Sequence, residues 1–242
     1  MNSDTPIRPD GKPHWYGRRK THKLRPRRQQ LVDDLLPKLR IADPDSDTPI
    51  DLSAAFDNAD ADVRLEIGFG AGEHLLGAAL KDPDINFIGC EPFINGVSAL
   101  LADLDEHDVT NVRLFDDDAR LLLARLPTAS ISKIYLLFPD PWPKSRHHRR
   151  RFVQRETLDT FARLAKDDTE FVFASDHKGY VAWTLAQVLP HPDWTWTARR
   201  PDDWCDPPEG WVETRYEAKG RKKGDEPAYL TFQRNPRASN NV

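Results

Sequence analysis

The stretch Val63-Arg-Leu-Glu-Ile-Gly-Phe-Gly-Ala-Gly72 sets the reading of the whole chain. Val63–Ile67 has the apolar character of a buried strand, and Glu73–Lys81 has the spacing of a helix. Between them lie Gly68, Gly70 and Gly72. Glycine lets a backbone pass close to a bound nucleoside, and a strand–turn–helix context is what gives such a turn that meaning. A dinucleotide fold needs G-x-G-x-x-G so that pyrophosphate can rest on the helix N-terminus. Here the spacing is G-x-G-x-G, with Glu66 two residues ahead of Gly68. A carboxylate at that point clashes with pyrophosphate but suits a cofactor that ends in an amino-acid ammonium group. The pattern favours S-adenosylmethionine over a nicotinamide dinucleotide.

Outward from this turn, strand and helix alternate, as in a parallel sheet covered by helices on both faces. Further strands are expected at 85–90, 112–115, 131–138, 170–174, 194–198 and 229–233, and helices at 94–107, 119–126, 151–165 and 179–189. The expected fold is a doubly wound α/β domain with a mostly parallel seven-stranded sheet, Rossmann-like, over 63–234. Ahead of it lie a basic extension over 1–40, with a short helix at 31–39, and an Asp- and Pro-rich linker over 41–62; residues 235–242 form a tail. Two more acids follow strand ends. Glu91 is placed to accept hydrogen bonds from ribose hydroxyls, and Asp118, just before Ala119, to meet the adenine amino group. Three acids at the carboxyl ends of successive strands describe one crevice, where open α/β sheets bind ligands. Taken singly, each also fits a helix N-cap or a surface charge.

The fourth strand runs into Phe138-Pro-Asp-Pro-Trp-Pro-Lys144, followed by Ser145-Arg-His-His-Arg-Arg-Arg151. The prolines restrict themselves and the residues before them, so Asp140 and Trp142 have little freedom. An aromatic plane beside a fixed carboxylate suits a flat heterocycle, although Trp142 equally suits a buried brace for the turn. Lys144, Arg146, Arg149, Arg150 and Arg151, with His147 and His148 between them, suit a polyanion.

The formal net charge is −4, so nothing global points to nucleic acid. Placement does: Arg8, Lys12, Arg18, Arg19, Lys20, Lys23, Arg25, Arg27 and Arg28 face the single acid Asp10, with His14, Trp15 and Tyr16 among them. Such an arm fits a solubilising tail or a segment that orders on a phosphate backbone. Cys90 and Cys205 make neither a disulfide framework nor a metal-ligand spacing. With no apolar N-terminal segment and no apolar run of about 18 residues, neither secretion nor membrane insertion is expected, and a cytoplasmic enzyme is.

These residues resemble the tRNA (guanine-N7-)-methyltransferases of the bacterial, single-chain type. The most specific parts are 138–144 with 146–151, then Ser175-Asp176, then Thr214-Arg-Tyr-Glu217 with Gly220. The resemblance implies methyl transfer from S-adenosylmethionine to N7 of a tRNA guanine, at variable-loop position 46, by a monomer or homodimer with no obligatory protein partner. It implies that Glu66, Glu91, Asp118 and Asp140 touch the cofactor, with Asp140 also the catalytic candidate. Lys144, Asp176, Thr214, Arg215, Tyr216 and Glu217 are then the substrate site, and Arg146 to Arg151 the RNA-contacting stretch. Ser145 stands where a second lysine is common, Ala71 replaces a frequent methionine, and the tail after Gln233 is idiosyncratic.

Guanine N7 carries a lone pair and no proton, so its attack on a sulfonium methyl needs no general base. Catalysis rests on proximity, alignment and electrostatics, and Asp140 suits stabilising the positive charge that the purine gains. Guanine's N1–H and amino group are two donors that one carboxylate can accept, a role for Asp176 or Glu217. Asp176 also fits a helix N-cap, and Glu217 fits pairing with Arg215 or Lys219. The basic stretches 18–28, 144–151 and 221–223 are expected on one face. Alternatives are a methyltransferase for another RNA or a small heterocycle, a non-catalytic cofactor- and RNA-binding protein, and a nicotinamide dehydrogenase.

Overall fold

The computed structural model describes residues 22–237. The basic arm ahead of His22 and the residues 238–242 lie outside it. The described chain runs α1 (Pro26–Asp34), α2 (Leu36–Leu39), α3 (Leu52–Ala55), β1 (Val63–Ile67), α4 (Glu73–Lys81), β2 (Asn86–Cys90), α5 (Ile94–Glu106), β3 (Val112–Phe115), α6 (Ala119–Leu123) and β4 (Ile131–Leu137). A 3₁₀ turn (Ser145–Arg150) leads to α7 (Arg155–Leu164), β5 (Ala165–Ser175), α8 (Lys178–Val188), β6 (Trp194–Trp196), α9 (Asp202–Cys205), α10 (Arg215–Arg221) and β7 (Ala228–Arg234).

One seven-stranded sheet has the order β3-β2-β1-β4-β5-β7-β6. β1 to β5 pair in parallel, and β7 lies antiparallel between β5 and β6. The chain winds outward from β1 to β3, then returns to lay β4 on the other side of β1. The order therefore reverses between β1 and β4, the point at which doubly wound sheets bind ligands.

Strand period two sorts the faces. Val63, Leu65 and Ile67 join Ile134, Phe171, Phe173 and Phe232 in one core, with α6, α7 and α8. Phe87, Val112 and Leu114 pack on the opposite face against α4, α5 and the α1–α2 pair. Glu66 belongs to that second face, because it lies one residue out of phase with Leu65 and Ile67.

Several boundaries depart from the sequence expectation, α6 ending at Leu123 rather than 126 and β6 at Trp196 rather than 198. The helix expected at 31–39 starts at Pro26, whose missing N–H costs nothing in a first turn, and breaks at Leu35 ahead of Pro37. The helix expected from Arg151 starts at Arg155, since the 3₁₀ turn ends on an extended Arg151. β5 begins at Ala165, five residues before the expected strand at 170. The segment 41–62 contributes Ile50 and Phe56 to the main core. It is strapped down by Arg125, whose Nε and Nη1 donate to the Thr48 and Asp43 carbonyls, both at 2.8 Å. Ahead of it, Arg40 grips Asp116 through two bonds of 2.8 Å.

Candidate active site

The loop after β1 forms one lip of the crevice at the reversal point. Gly68, Gly70 and Gly72 have φ of +74°, +60° and +88°. At Gly72 a Cβ would come within 2.7 Å of the Leu100 side chain, so the loop meets α5 only because that atom is missing. A Cβ on Gly68 or Gly70 would meet nothing within 4 Å, so these two front open space, as backbone set against a ligand must.

Glu91, the residue after β2, pins this loop. Its Oε2 accepts the Gly70 N–H and its Oε1 the Phe93 N–H, both at 2.9 Å. Each carboxylate oxygen keeps further acceptor capacity for a hydroxyl. Burial pushes the Glu91 carboxyl above the usual range, the two backbone donors oppose that, and Asp140 nearby adds to it.

Glu66 is 3% exposed, and its Oε2 lies 2.7 Å from Nδ1 of His74 on α4. Among the described residues its Oε1 has no hydrogen-bond partner, yet it is not sealed from solvent. Asp118 is the N-cap of α6, accepting the Arg120 N–H at 3.0 Å, and Arg120 Nη2 reaches the same carboxylate at 2.6 Å. The N-cap alternative thus describes Asp118 in the structure, and a guanidinium neutralises it.

Asp140 stands beyond β4 on the proline-bounded turn. Phe138 and Trp142 take φ of +49° and +42°, a region bulky residues rarely occupy. Such backbone costs on the order of 1–3 kcal/mol per residue and survives only where the surroundings impose it. Here the Phe138 N–H donates to the Ala174 carbonyl at 2.8 Å, and Arg151 Nε to the Pro141 carbonyl at 2.9 Å. The Arg150 guanidinium lies 4.9 Å from the centre of the Trp142 ring, and His147 meets its edge at 6.0 Å. Trp142 is half-buried and packs against the basic 3₁₀ turn that follows it. Partial desolvation pushes the Asp140 carboxyl above the usual carboxylate range.

Opposite Asp140, Asp176 Oδ2 accepts the Tyr216 hydroxyl at 3.0 Å. The N-cap of α8 is His177, whose Nδ1 accepts the Tyr180 N–H at 3.1 Å, so Asp176 is not the cap. Tyr216 is 57% exposed, and its ring centre is 5.4 Å from that of Phe138. Burial of the hydroxyl and then Asp176 push its pKa up to about 12.

Two residues expected to contact RNA or substrate are buried in the structure. Arg151 is 3% exposed: Nη1 donates to the Gly179 carbonyl at 3.1 Å, and the guanidinium lies 5.0 Å from the centre of the Tyr180 ring and 5.3 Å from that of Trp183. Packed there, its guanidinium ties the turn at Pro141 to the start of α8. Glu217 is 1% exposed, and its carboxylate is already taken. Trp211 Nε1 donates to Oε2 at 2.9 Å, while Arg221 Nη2, at 3.1 Å, and the Tyr229 hydroxyl donate to Oε1. The ion-pair alternative for Glu217 is realised, with Arg221 in place of Arg215 or Lys219. Thr214 caps α10 by accepting the Glu217 N–H at 3.1 Å, and Arg215 Nε reaches Glu73 Oε1 on α4 at 2.7 Å. Lys144, Arg146 and Arg149 remain exposed. His147 is held below the usual imidazole range by desolvation and then by Arg150, Arg146, Lys144 and Arg149. At the glycine lip, Asn95 Nδ2 donates to the His22 carbonyl at 3.0 Å, so the described chain begins beside the crevice. His74 and Trp211 gave no signal in the sequence, since their roles depend on partners that no spacing rule links to them.

Fold and site together define a Rossmann-like methyltransferase. A family model described as "Putative methyltransferase" matches residues 60–230. A tRNA (guanine-N(7)-)-methyltransferase of Chelativorans sp. (strain BNC1) is 50% identical over 220 residues, 91% of this chain and 94% of that protein. One of Rhizobium meliloti (strain 1021) is 47% identical over 220 residues, again 91% and 94%. Among solved structures, a 16S rRNA methyltransferase, KamB, superposes with a TM-score of 0.54 at 16% identity, covering 76% of this chain and 91% of its own, a likeness of fold. The chain belongs to the family of tRNA (guanine-N(7)-)-methyltransferases. It is an enzyme of methyl transfer, and a methyl donor is implied. No helix among the described residues is long and apolar enough to cross a membrane.

Proposed function

We propose that this chain transfers the methyl group of S-adenosylmethionine to N7 of a guanine in tRNA, at position 46 of the variable loop, in the cytoplasm. The observation that carries the reading is the row of carboxylates, Glu66, Glu91, Asp118 and Asp140, at the carboxyl ends of four adjacent parallel strands, faced by Asp176 and Tyr216.

Bound in the crevice, S-adenosylmethionine supplies an electrophilic methyl on a sulfonium. Glu66 Oε1 is the acceptor for its ammonium group, and Glu91 for the ribose hydroxyls, while Gly68 and Gly70 leave room for the nucleoside. Asp118 reaches the adenine edge with what capacity Arg120 leaves. No proton leaves N7, so Asp140 acts as a fixed negative charge near the purine, which becomes cationic as the methyl moves. Asp176 accepts the guanine N1–H and amino donors, steadied by the Tyr216 hydroxyl. Lys144, Arg146 and Arg149 take phosphates, and the basic residues ahead of His22 add positive charge for the same partner. Thr214, Arg215 and Glu217 shape the site by holding α10, and Arg151 by holding the turn.

Transfer of labelled methyl to unmodified tRNA, beside the same tRNA with its variable-loop guanine changed to adenine, tests this. The expected result is label on the first alone. Label on neither, with donor binding intact, would move the reading to another RNA or to a non-catalytic binder.

A further inference from the structure

The pair Glu66–His74 is set apart from the other acids of the crevice by what surrounds it. Glu91 is held by backbone and Asp118 by a half-buried arginine, but Glu66 is held by a buried imidazole, 5% exposed. That imidazole is itself wedged: its ring centre lies 4.7 Å from Tyr135, an edge contact, and 5.3 Å from Trp211. Tyr135 is Glu66's neighbour across the β1–β4 pairing. Trp211 donates in turn to Glu217, the buried acid of the Thr214–Glu217 motif. Nδ1 therefore meets Glu66 on an axis that packing fixes from two sides. With Oε2 fixed on that axis, the direction of Oε1 is fixed as well.

We propose that His74 is a positioning residue for the methyl donor. Its Nδ1 holds Glu66 by one oxygen so that the other faces the donor's ammonium group, and its contact with Trp211 ties that orientation to the segment bearing the substrate motif. The inference rests on the donor reading above and names a residue which that reading did not use.

Calorimetric titration of the full chain with S-adenosylhomocysteine separates the two. It has the same amino-acid end and nucleoside and undergoes no reaction. His74→Phe keeps a ring of similar size and loses the nitrogen, and roughly tenfold weaker binding is expected, the scale of one charge-assisted hydrogen bond. His74→Asn, whose amide nitrogen sits near the Nδ1 position, should recover most of it, whereas His74→Gln, whose amide reaches beyond, should not. 5′-Methylthioadenosine lacks the amino-acid end, so its affinity should be the same in all these variants. In a Glu66→Gln background, His74→Phe should add less than about threefold, because the two residues act through one contact. Equal binding by wild type and His74→Phe, or a parallel loss of 5′-methylthioadenosine, would overturn the role. If His74→Phe does not fold, the asparagine and glutamine variants carry the same comparison, and equal affinity in those two would sink it. Wild type that binds neither ligand would instead overturn the donor reading itself.

Discussion

The Tyr216 hydroxyl donates to Asp176 Oδ2 at 3.0 Å, joining the first turn of α10 to the end of β5 across the crevice. This bond orients the carboxylate of a half-buried residue. Asp176→Asn replaces an acceptor with a donor opposite guanine's own donors. A loss of roughly 10- to 100-fold in kcat/KM is expected, with relaxed discrimination against adenine. Tyr216→Phe should cost less, about three- to tenfold, with discrimination retained. Steady-state kinetics on paired guanine and adenine tRNA variants would check both.

Glu217 should behave in the opposite way. Glu217→Ala leaves the Trp211 N–H and the Tyr229 hydroxyl without their acceptor, a cost of about 2–5 kcal/mol. For a chain of this size that is a fall of roughly 5–15 °C in melting temperature, readable by calorimetry. Protein that remains folded below that transition should keep its preference for guanine over adenine.

Asp140 has a raised pKa, so its ionised form is disfavoured by folding. The sign follows from linkage: folding favours the protonated carboxyl, so stability is fullest below the ordinary aspartate pKa and declines as pH rises through the raised one. Asp140 is exposed, so solvent screens the effect. Asp140→Asn should therefore raise the melting temperature only slightly at neutral pH, and the gain should vanish in acid, where the wild-type carboxyl is protonated as well. The same substitution should lower methyl transfer sharply. Thermal scans across pH, read beside activity at neutral pH, test the pair of expectations together.

Salt dependence separates the basic residues. Lys144→Ala, Arg146→Ala and Arg149→Ala should each lower the slope of log K against log salt by roughly 0.7–0.9 in tRNA binding. Arg151→Ala should leave that slope unchanged and lower the melting temperature, since it removes the bonds to the Pro141 and Gly179 carbonyls. Anisotropy titrations at several salt concentrations would distinguish the two classes.

The architecture was legible because the apolar part of each parallel strand is a short run ended by glycine, proline or an acid, and these signals are local, whereas the polar first half of β5 carried none. The crevice acids were legible for the same reason: Glu66, Glu91, Asp118 and Asp140 all lie at or just past strand ends. What escaped was burial of charge. Arg151 reads like Arg149 and Arg150, and only carbonyls 10 and 28 residues away decide that it packs inward. Glu217 reads as a motif acid beside basic neighbours, and Tyr229, on the next strand, closes over it. His74 lies eight residues from Glu66, and neither a helical nor a strand period links the two, because a turn intervenes. The early start of α1 was written in Pro26, a residue at home in a first helical turn and read instead as part of a basic arm.

The bond from the Gly70 N–H to Glu91 means that the cradle is finished before any ligand arrives. Arrival should therefore be a single-step encounter limited by access, without a slow rearrangement of the loop. On the proposed reading, the cradle grips only what the fresh and the spent methyl donor have in common, the adenosine and the amino-acid tail. An enzyme that binds its donor in this way is expected to be held back by its own by-product, and its pace in a cell would follow how quickly that by-product is cleared.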